Sequence, residues 1–121
     1  MESFSSDYVV VQFWNPYCEP CGKEVSELNA ALAAAHNPTL SVLGIPLQAR
    51  EQEIASFVRH FQPRYEQWNK SDTRNITLDR VHLTVLLDRN RLPVREWSGT
   101  VKAQDLLLEI NRLDHERNSS L

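Results

Sequence analysis

The sequence predicts a single α/β domain, with a central mixed β-sheet and helices on both of its faces. Short apolar runs alternate with apolar stripes of helical period, in the order strand, helix, strand, helix and then strand, strand, helix. A chain of 121 residues can bury one modest core but not two. We therefore expect one domain over residues 1–121, with its core over residues 8–113.

The first three elements predict a βαβ unit. The run YVVVQFW (residues 8–14) is apolar and rich in β-branched and aromatic residues, which is typical of a buried strand. Apolar residues then recur at steps of four and three, which predicts a helix over residues 20–36 with Pro20 in its first turn. The run TLSVLGI (residues 39–45) predicts a second buried strand. This order favours a parallel pair joined by a right-handed crossover.

A second helix and a surface connection are expected next. An amphipathic stripe predicts a helix over residues 50–61, which ends near Pro63. Residues 62–75 are polar and aperiodic, so we interpret them as a surface connection, with a short strand or helical turn around residues 65–68.

The last third of the chain predicts a hairpin followed by a helix. The runs HLTVLLD (residues 82–88) and LPVREWS (residues 92–98) are separated by a short polar turn, which indicates an antiparallel pair. After Gly99 an apolar stripe predicts a closing helix, and the polar residues 114–121 are expected to fray as a tail.

The composition argues against two classes of partner. Thirteen Lys and Arg against sixteen Asp and Glu give a net charge of −3, whereas nucleic acid binding needs a basic face. No apolar run approaches the roughly 18 residues that cross a bilayer, so we expect no membrane span in this chain. The N-terminus also lacks the basic and apolar regions of a signal peptide, so a cytoplasmic protein and one whose leader has been removed both fit.

Cys18 and Cys21 lie at the start of the first predicted helix, and three roles compete for them. A zinc site would need ligands from scattered elements, because no second histidine follows His36 at the spacing of a zinc finger. A structural disulfide would close a loop of only four residues and contribute roughly 2 kcal/mol. The third role is redox chemistry, and it suits a strand-to-helix turn best.

The redox role assigns each thiol a different task. At the turn, free backbone N–H groups and the helix dipole favour a thiolate at Cys18, which makes it the attacking sulfur. Cys21 lies one helical turn further on and faces inward. It is placed to attack the mixed disulfide that Cys18 forms and so release the partner as a dithiol.

The segment VVVQFWNPYCEPCGKEVSELN resembles the active-site strand and helix of thioredoxin-fold proteins, and more narrowly of TlpA/ResA-type thiol-disulfide oxidoreductases, where F-W-x-x-(W/Y)-C-x-P-C-x-x-E is typical. Residues 83–110 are similar to the closing hairpin and C-terminal helix of that family. The resemblance implies a thioredoxin fold and dithiol-disulfide exchange without a bound cofactor. Its partners would be protein disulfides or dithiols and an upstream thiol redox protein.

The resemblance also bears on direction and location. The CEPC motif is similar to that of reducing members that act in cytochrome c maturation, which favours a reductase. The cell envelope is the location that the family favours.

The sequence departs from the family pattern in three places. His82, preceded by Val81, stands where the family has a cis-proline, and a non-proline cis bond is costly, so we expect a trans peptide. Gln12 stands where thioredoxins have a buried carboxylate, so proton transfer at Cys21 would use water or Glu19. The chain also has a minimal N-terminus, because only seven residues precede the first strand.

Beside the two cysteines, six residues are predicted to bind substrate or to tune the thiols: Trp14, Tyr17, Glu19, Pro20, Val81 and His82. Tyr17 is expected to be partly exposed at a rim that contacts the partner, where an aromatic ring with a polar tip is suitable. Glu19 and Glu24 add negative charge that opposes a thiolate, whereas Lys23 favours one.

Two alternatives to the oxidoreductase stay open. Cys18, Cys21 and His82 form a ligand set suited to copper or zinc, as in a metallochaperone. A redox-inactive thioredoxin-like adaptor is the other alternative.

Overall fold

The computed structural model describes residues 5–68 and 81–119. Its five strands are β1 (Tyr8–Trp14), β2 (Leu40–Pro46), β3 (Glu66–Gln67), β4 (Leu83–Leu87) and β5 (Pro93–Ser98). Its three helices are α1 (Glu19–Ala34), α2 (Glu51–Phe61) and α3 (Ala103–Ser119). The strands and the two first helices lie within two residues of the predicted bounds, and the short strand expected around residues 65–68 is β3.

The strands form one mixed sheet in the order β3-β2-β1-β4-β5. The central strand β1 pairs with β2 in parallel and with β4 antiparallel. β4 continues into β5 as the predicted antiparallel hairpin, with a bulge between Leu86 and Leu87. The predicted mixed α/β fold is therefore confirmed.

All three helices contact the same face of this sheet. Val10 lies in a core cluster with Leu28 of α1 and Leu106 of α3, and Trp14 lies in a second cluster with α1 and with Phe57 of α2. When two successive right-handed crossovers move in the same direction across a sheet, their helices lie on the same face. The path from β1 to β2 to β3 has this form, so α1 and α2 are neighbours.

The opposite face of the sheet carries a third apolar cluster. Val9 and Val11 of β1 and Leu43 of β2 are buried there, and Trp68 and Val81 pack against them. The three helices lie on the other face, so the expected placement of helices on both faces is not seen within residues 5–68 and 81–119. The part of the predicted surface connection beyond Trp68 lies outside the described residues.

The predicted fraying of residues 114–121 is wrong for the described part of that segment, because α3 continues to Ser119. Ion pairs between neighbouring turns support it: Arg112 contacts Glu116 at 2.7 Å, and Arg117 lies 3.8 Å from Asp114. Within residues 5–68 and 81–119, no helix has both the length and the apolar character needed to cross a bilayer.

Candidate active site

The two cysteines lie where β1 passes into α1, on a turn that Asn15 organises. Asn15 is almost fully buried, and its side-chain oxygen accepts the backbone N–H of Tyr17 at 2.9 Å while its amide donates to the Leu47 carbonyl at 2.8 Å. Its own carbonyl accepts the N–H of Cys18 at 2.9 Å. This role of Asn15 was not predicted, although Asn-Pro is a recognised turn signal in a sequence.

Cys18 is the N-cap residue of α1, and Pro20 occupies the first turn of the helix, where the missing N–H costs nothing. The cysteines form a disulfide, with Sγ atoms 2.04 Å apart and Cα atoms 5.3 Å apart. Cys18 is partly exposed, whereas Cys21 is fully buried. Cys18 is therefore the more accessible residue of the pair, and the two tasks predicted for the cysteines stay predictions.

A buried carboxyl lies one helical turn beyond Cys21. Glu24 has no exposed surface, and its oxygens accept hydrogen bonds from the Thr84 hydroxyl at 3.2 Å and from the Val101 N–H at 2.8 Å. The side-chain amide of Gln12 also donates to it, at 3.2 Å. Burial raises the pKa of Glu24 above its ordinary value, although these donors and the charge of His82 act in the opposite direction.

The expectation that water or Glu19 handles protons at Cys21 stays a prediction, and Glu24 is a further candidate that the fold brings near Cys21. The Glu19 side chain is exposed at the surface and lies 3.3 Å from the Lys23 ammonium. The sequence predicts for Glu24 only a charge that opposes a thiolate, whereas the structure shows it buried, with burial raising its pKa above the ordinary value. The signal was in the sequence, because a spacing of three places Glu24 on the inward face of α1 with Cys21.

The polar side chain of Gln12 fills the strand position where thioredoxins have a carboxylate. It has no exposed surface, and its amide nitrogen donates to the Cys21 carbonyl at 3.0 Å as well as to Glu24. Its oxygen accepts the Tyr65 hydroxyl at 2.8 Å. The amide is thus satisfied at both ends, as buried polar groups generally are.

His82 and Val81 lie at the same end of the sheet as the cysteines. The Val81–His82 peptide is trans, and His82 adopts left-handed backbone geometry with φ of 66°. Its N–H donates to the Phe13 carbonyl at 2.9 Å, and that carbonyl oxygen lies 4.0 Å from Cys21 Sγ. The imidazole Nε2 lies 3.1 Å from the Thr100 hydroxyl.

The two aromatic residues next to the cysteines have different environments. Trp14, a candidate for contacting substrate, is fully buried, stacks on Phe57 at 3.7 Å and donates its indole N–H to the Gln67 side chain at 2.7 Å. It does not contribute to the surface around Cys18. Tyr17 is 83% exposed, and its hydroxyl lies 3.4 Å from Glu53. Pro20 is exposed too.

The described ranges contain no group of three or more His, Cys, Asp or Glu side chains arranged to hold a metal ion. The trio Cys18, Cys21 and His82 is therefore not assembled as a metal centre while the cysteines are joined in a disulfide.

No protein-family model matches this chain, and no curated protein matches it in sequence. Several solved structures do match this chain in fold. A thioredoxin-related protein from Neisseria meningitidis serogroup B superposes with a TM-score of 0.76 at 20% identity, covering 96% of this chain and 90% of that one. A secreted thiol-disulfide isomerase from Corynebacterium glutamicum has a TM-score of 0.70 at 23% identity, covering 88% and 70%.

A DsbF homologue from Corynebacterium diphtheriae is similar in the same way, with a TM-score of 0.69 at 24% identity over 89% of this chain and 73% of that one. At such identities the likeness is one of fold. It confirms the predicted resemblance at that level: the chain has the thioredoxin fold in a form found among thiol-disulfide oxidoreductases, with a Cys-x-x-Cys pair at the start of α1.

Proposed function

From this shared thioredoxin fold, we propose that the chain is an enzyme that exchanges dithiols and disulfides with protein partners through its CEPC motif, acting as a reductase. The observation that supports the proposal is the asymmetry of the Cys18–Cys21 disulfide, which joins a partly exposed residue at a helix N-terminus to a fully buried one. Exposure lets Cys18 meet a protein disulfide, and burial keeps Cys21 from reacting with the partner directly.

The reaction starts from the reduced pair. The Cys18 thiolate attacks one sulfur of the partner disulfide, which forms a mixed disulfide and releases the other partner sulfur as a thiolate. Cys21 then loses its proton and attacks Cys18 Sγ, which re-forms the Cys18–Cys21 disulfide and releases the second partner thiolate. Two electrons pass to the partner, and an upstream dithiol protein must return them before the next cycle.

Glu24 is the proposed acceptor of the Cys21 proton. It is the buried titratable side chain one turn from Cys21 on the same helix face. Burial raises its pKa and so brings it closer to the pKa of a thiol, which makes proton transfer between the two more balanced. The proton then leaves to the released partner thiolate.

The reducing direction rests on the resemblance of CEPC to reducing family members. The equilibrium between this disulfide and glutathione measures it: a potential near ~−270 mV indicates a reductant and one near ~−120 mV an oxidant.

Single cysteine variants test the proposed mechanism. We expect Cys18→Ser to abolish reduction of insulin disulfides, because no accessible thiolate remains. Cys21→Ser should instead accumulate a covalent mixed disulfide, visible on a non-reducing gel, because the second attack cannot occur. The two variants serve as controls for each other, since both remove the same internal disulfide. Equal, mild effects of both would contradict the mechanism, and an inactive wild type would support the redox-inactive adaptor.

A further inference from the structure

A continuous chain of hydrogen bonds runs from the edge of the sheet to Glu24. The Tyr65 hydroxyl, just before β3, donates to the Gln12 side-chain oxygen at 2.8 Å. The Gln12 amide nitrogen donates to the Cys21 carbonyl at 3.0 Å and to a Glu24 oxygen at 3.2 Å. Gln12 and Glu24 have no exposed surface, so water does not compete for these bonds.

The partners of Gln12 fix the direction in which its amide points. The Cys21 carbonyl can only accept a hydrogen bond, so it must face the amide nitrogen. If the amide were reversed, the Gln12 oxygen would face both that carbonyl and the Glu24 carboxyl. The Tyr65 hydroxyl supplies the donor that the Gln12 oxygen needs on the other side. Gln12 therefore presents an N–H to Glu24, and such a donor stabilises the carboxylate over the neutral acid.

We propose that Gln12 is a positioning residue for Glu24 and that the Tyr65 hydroxyl holds Gln12 in its orientation. Gln12 links the first turn of α1 to the Glu24 carboxylate and keeps that carboxylate ready to accept the proton of Cys21. This inference rests on the proposed function. Gln12 does not meet the partner protein and exchanges no electrons. It acts through Glu24, and Tyr65 acts through Gln12.

Other groups face Glu24 from the elements packed around it, and they do not depend on Tyr65. Thr84 of β4 and the Val101 N–H before α3 donate to the carboxylate, and His82 acts on it through its charge. Burial and then the charge of Glu24 raise the pKa of the Tyr65 phenol, so Tyr65 stays a neutral hydrogen-bond donor. The reduced thiols of Cys18 and Cys21 would add a further charge nearby, so the test is made first on the disulfide form.

The test is a carbon-13 NMR titration of the Glu24 carboxyl in the disulfide form of the full chain. Gln12→Met removes the donor, and we expect the midpoint to rise by about one pH unit, since a hydrogen bond to a charged group is worth about that much. Tyr65→Phe removes one hydroxyl and should raise the midpoint in the same direction by less. Tyr8→Phe is the control, because Tyr8 is a buried tyrosine of β1 in a core cluster against which Tyr65 also packs, but it is not part of the hydrogen-bonded chain described above.

If the Glu24 midpoint is unchanged in folded Tyr65→Phe, the role of Tyr65 is overturned. If the midpoint moves equally in Tyr8→Phe, the shift is a general effect of core substitution, and the role of Tyr65 is overturned as well. Tyr65→Phe keeps the inference falsifiable if Gln12→Met does not fold.

The reduced protein supplies a second readout. If Glu24 must be ionised to take the proton, the rise in insulin-reduction rate with pH should move to higher pH in both variants. A parallel loss of rate at every pH would indicate a merely structural role and overturn the inference. An inactive wild type would reveal a failure of the proposed function. The outcomes above are distinct from that failure, because the titration of the disulfide form needs no exchange with a partner.

Discussion

The Glu24 carboxyl is removed from water, yet three donors contact it: the Gln12 amide, the Thr84 hydroxyl and the Val101 N–H. Desolvation is the largest influence and raises its pKa, while the donors only reduce that rise. Such a balance costs stability, but it suits the proposed role of Glu24 as a group that takes and releases a proton.

Glu24 should make the stability of the protein depend on pH. Its folded pKa is raised above the ordinary value of 4.5, so the folded state keeps the proton to higher pH than the unfolded state does. The stabilisation from this proton is fully present below the unfolded pKa and is lost as pH rises through the folded pKa. In Glu24→Gln this loss should be absent.

Urea unfolding of the wild type and Glu24→Gln, between about pH 4 and pH 8, measures the effect. We expect the free energy of unfolding of the wild type, relative to the variant, to fall as pH rises above 4.5. Curves that stay parallel over this range would show that Glu24 has an unshifted pKa.

Among the elements, the contact between α1 and α2 determines where the cysteines lie. Gly22 follows Cys21 directly, and a Cβ atom there would come within 2.2 Å of the Phe61 ring of α2. That ring packs on Phe57, whose own ring stacks on Trp14. The close approach of the two helices therefore depends on the absence of a side chain at Gly22, and it holds the first turn of α1 against an aromatic cluster.

Gly22→Ala should destabilise the protein, although alanine in place of glycine usually stabilises a helix. Helix propensity alone would stabilise the variant by up to about 1 kcal/mol. Overpacking in a fitted core costs typically about 1–3 kcal/mol, so we expect a net loss in the free energy of unfolding.

A double-mutant cycle with Phe61→Leu isolates the contact. Removing the ring should restore part of the loss, so that Gly22→Ala costs less in the Phe61→Leu background than in the wild type. If Gly22→Ala stabilises the protein, the two helices are not as close as described.

Across the whole molecule, groups distant in sequence meet at the site because β1 is the centre of the sheet. β1 contributes Gln12, β4 contributes Thr84, and the segment before α3 contributes Val101, all in contact with Glu24 of α1. The helix α3 is fixed to this arrangement by Leu106, which is fully buried with Val10 of β1. One core thus supports both the fold and the site.

Shortening a side chain on the buried face of α3 should destabilise the entire domain. We expect Leu106→Ala to lower the free energy of unfolding by about 2–5 kcal/mol, because a cavity forms in the shared core. Leu108→Ala on the same helix is the matched control, since Leu108 is 60% exposed and surface changes usually stay within about 0.5 kcal/mol.

Two probes follow the transition: tryptophan fluorescence and the helical circular dichroism signal. They should remain coincident in Leu106→Ala, because both report on one cooperative unit. Separate transitions would mean that α3 unfolds independently of the sheet.

The sequence by itself determined the elements and the place of the cysteine pair at a strand-to-helix turn. A strand such as Tyr8–Trp14 or a helix such as Glu51–Phe61 is encoded by the periodicity of near neighbours, which is visible in the letters. The Cys18–Cys21 spacing at a strand-to-helix turn is equally local. The end of α3 was mispredicted because polar composition indicates exposure and does not by itself exclude a helix stabilised by ion pairs.

Only the tertiary structure decided the surroundings of those cysteines. The burial of Glu24, the orientation of Gln12 and the withdrawal of Trp14 from the surface depend on partners such as Val101, Tyr65 and Phe57, which are distant in the chain. A glutamate or a tryptophan has the same local preferences whether its helix or strand end is covered or open. The free energy of burial comes from contacts across the fold, so it was settled when β1, α1, β4 and α3 came together.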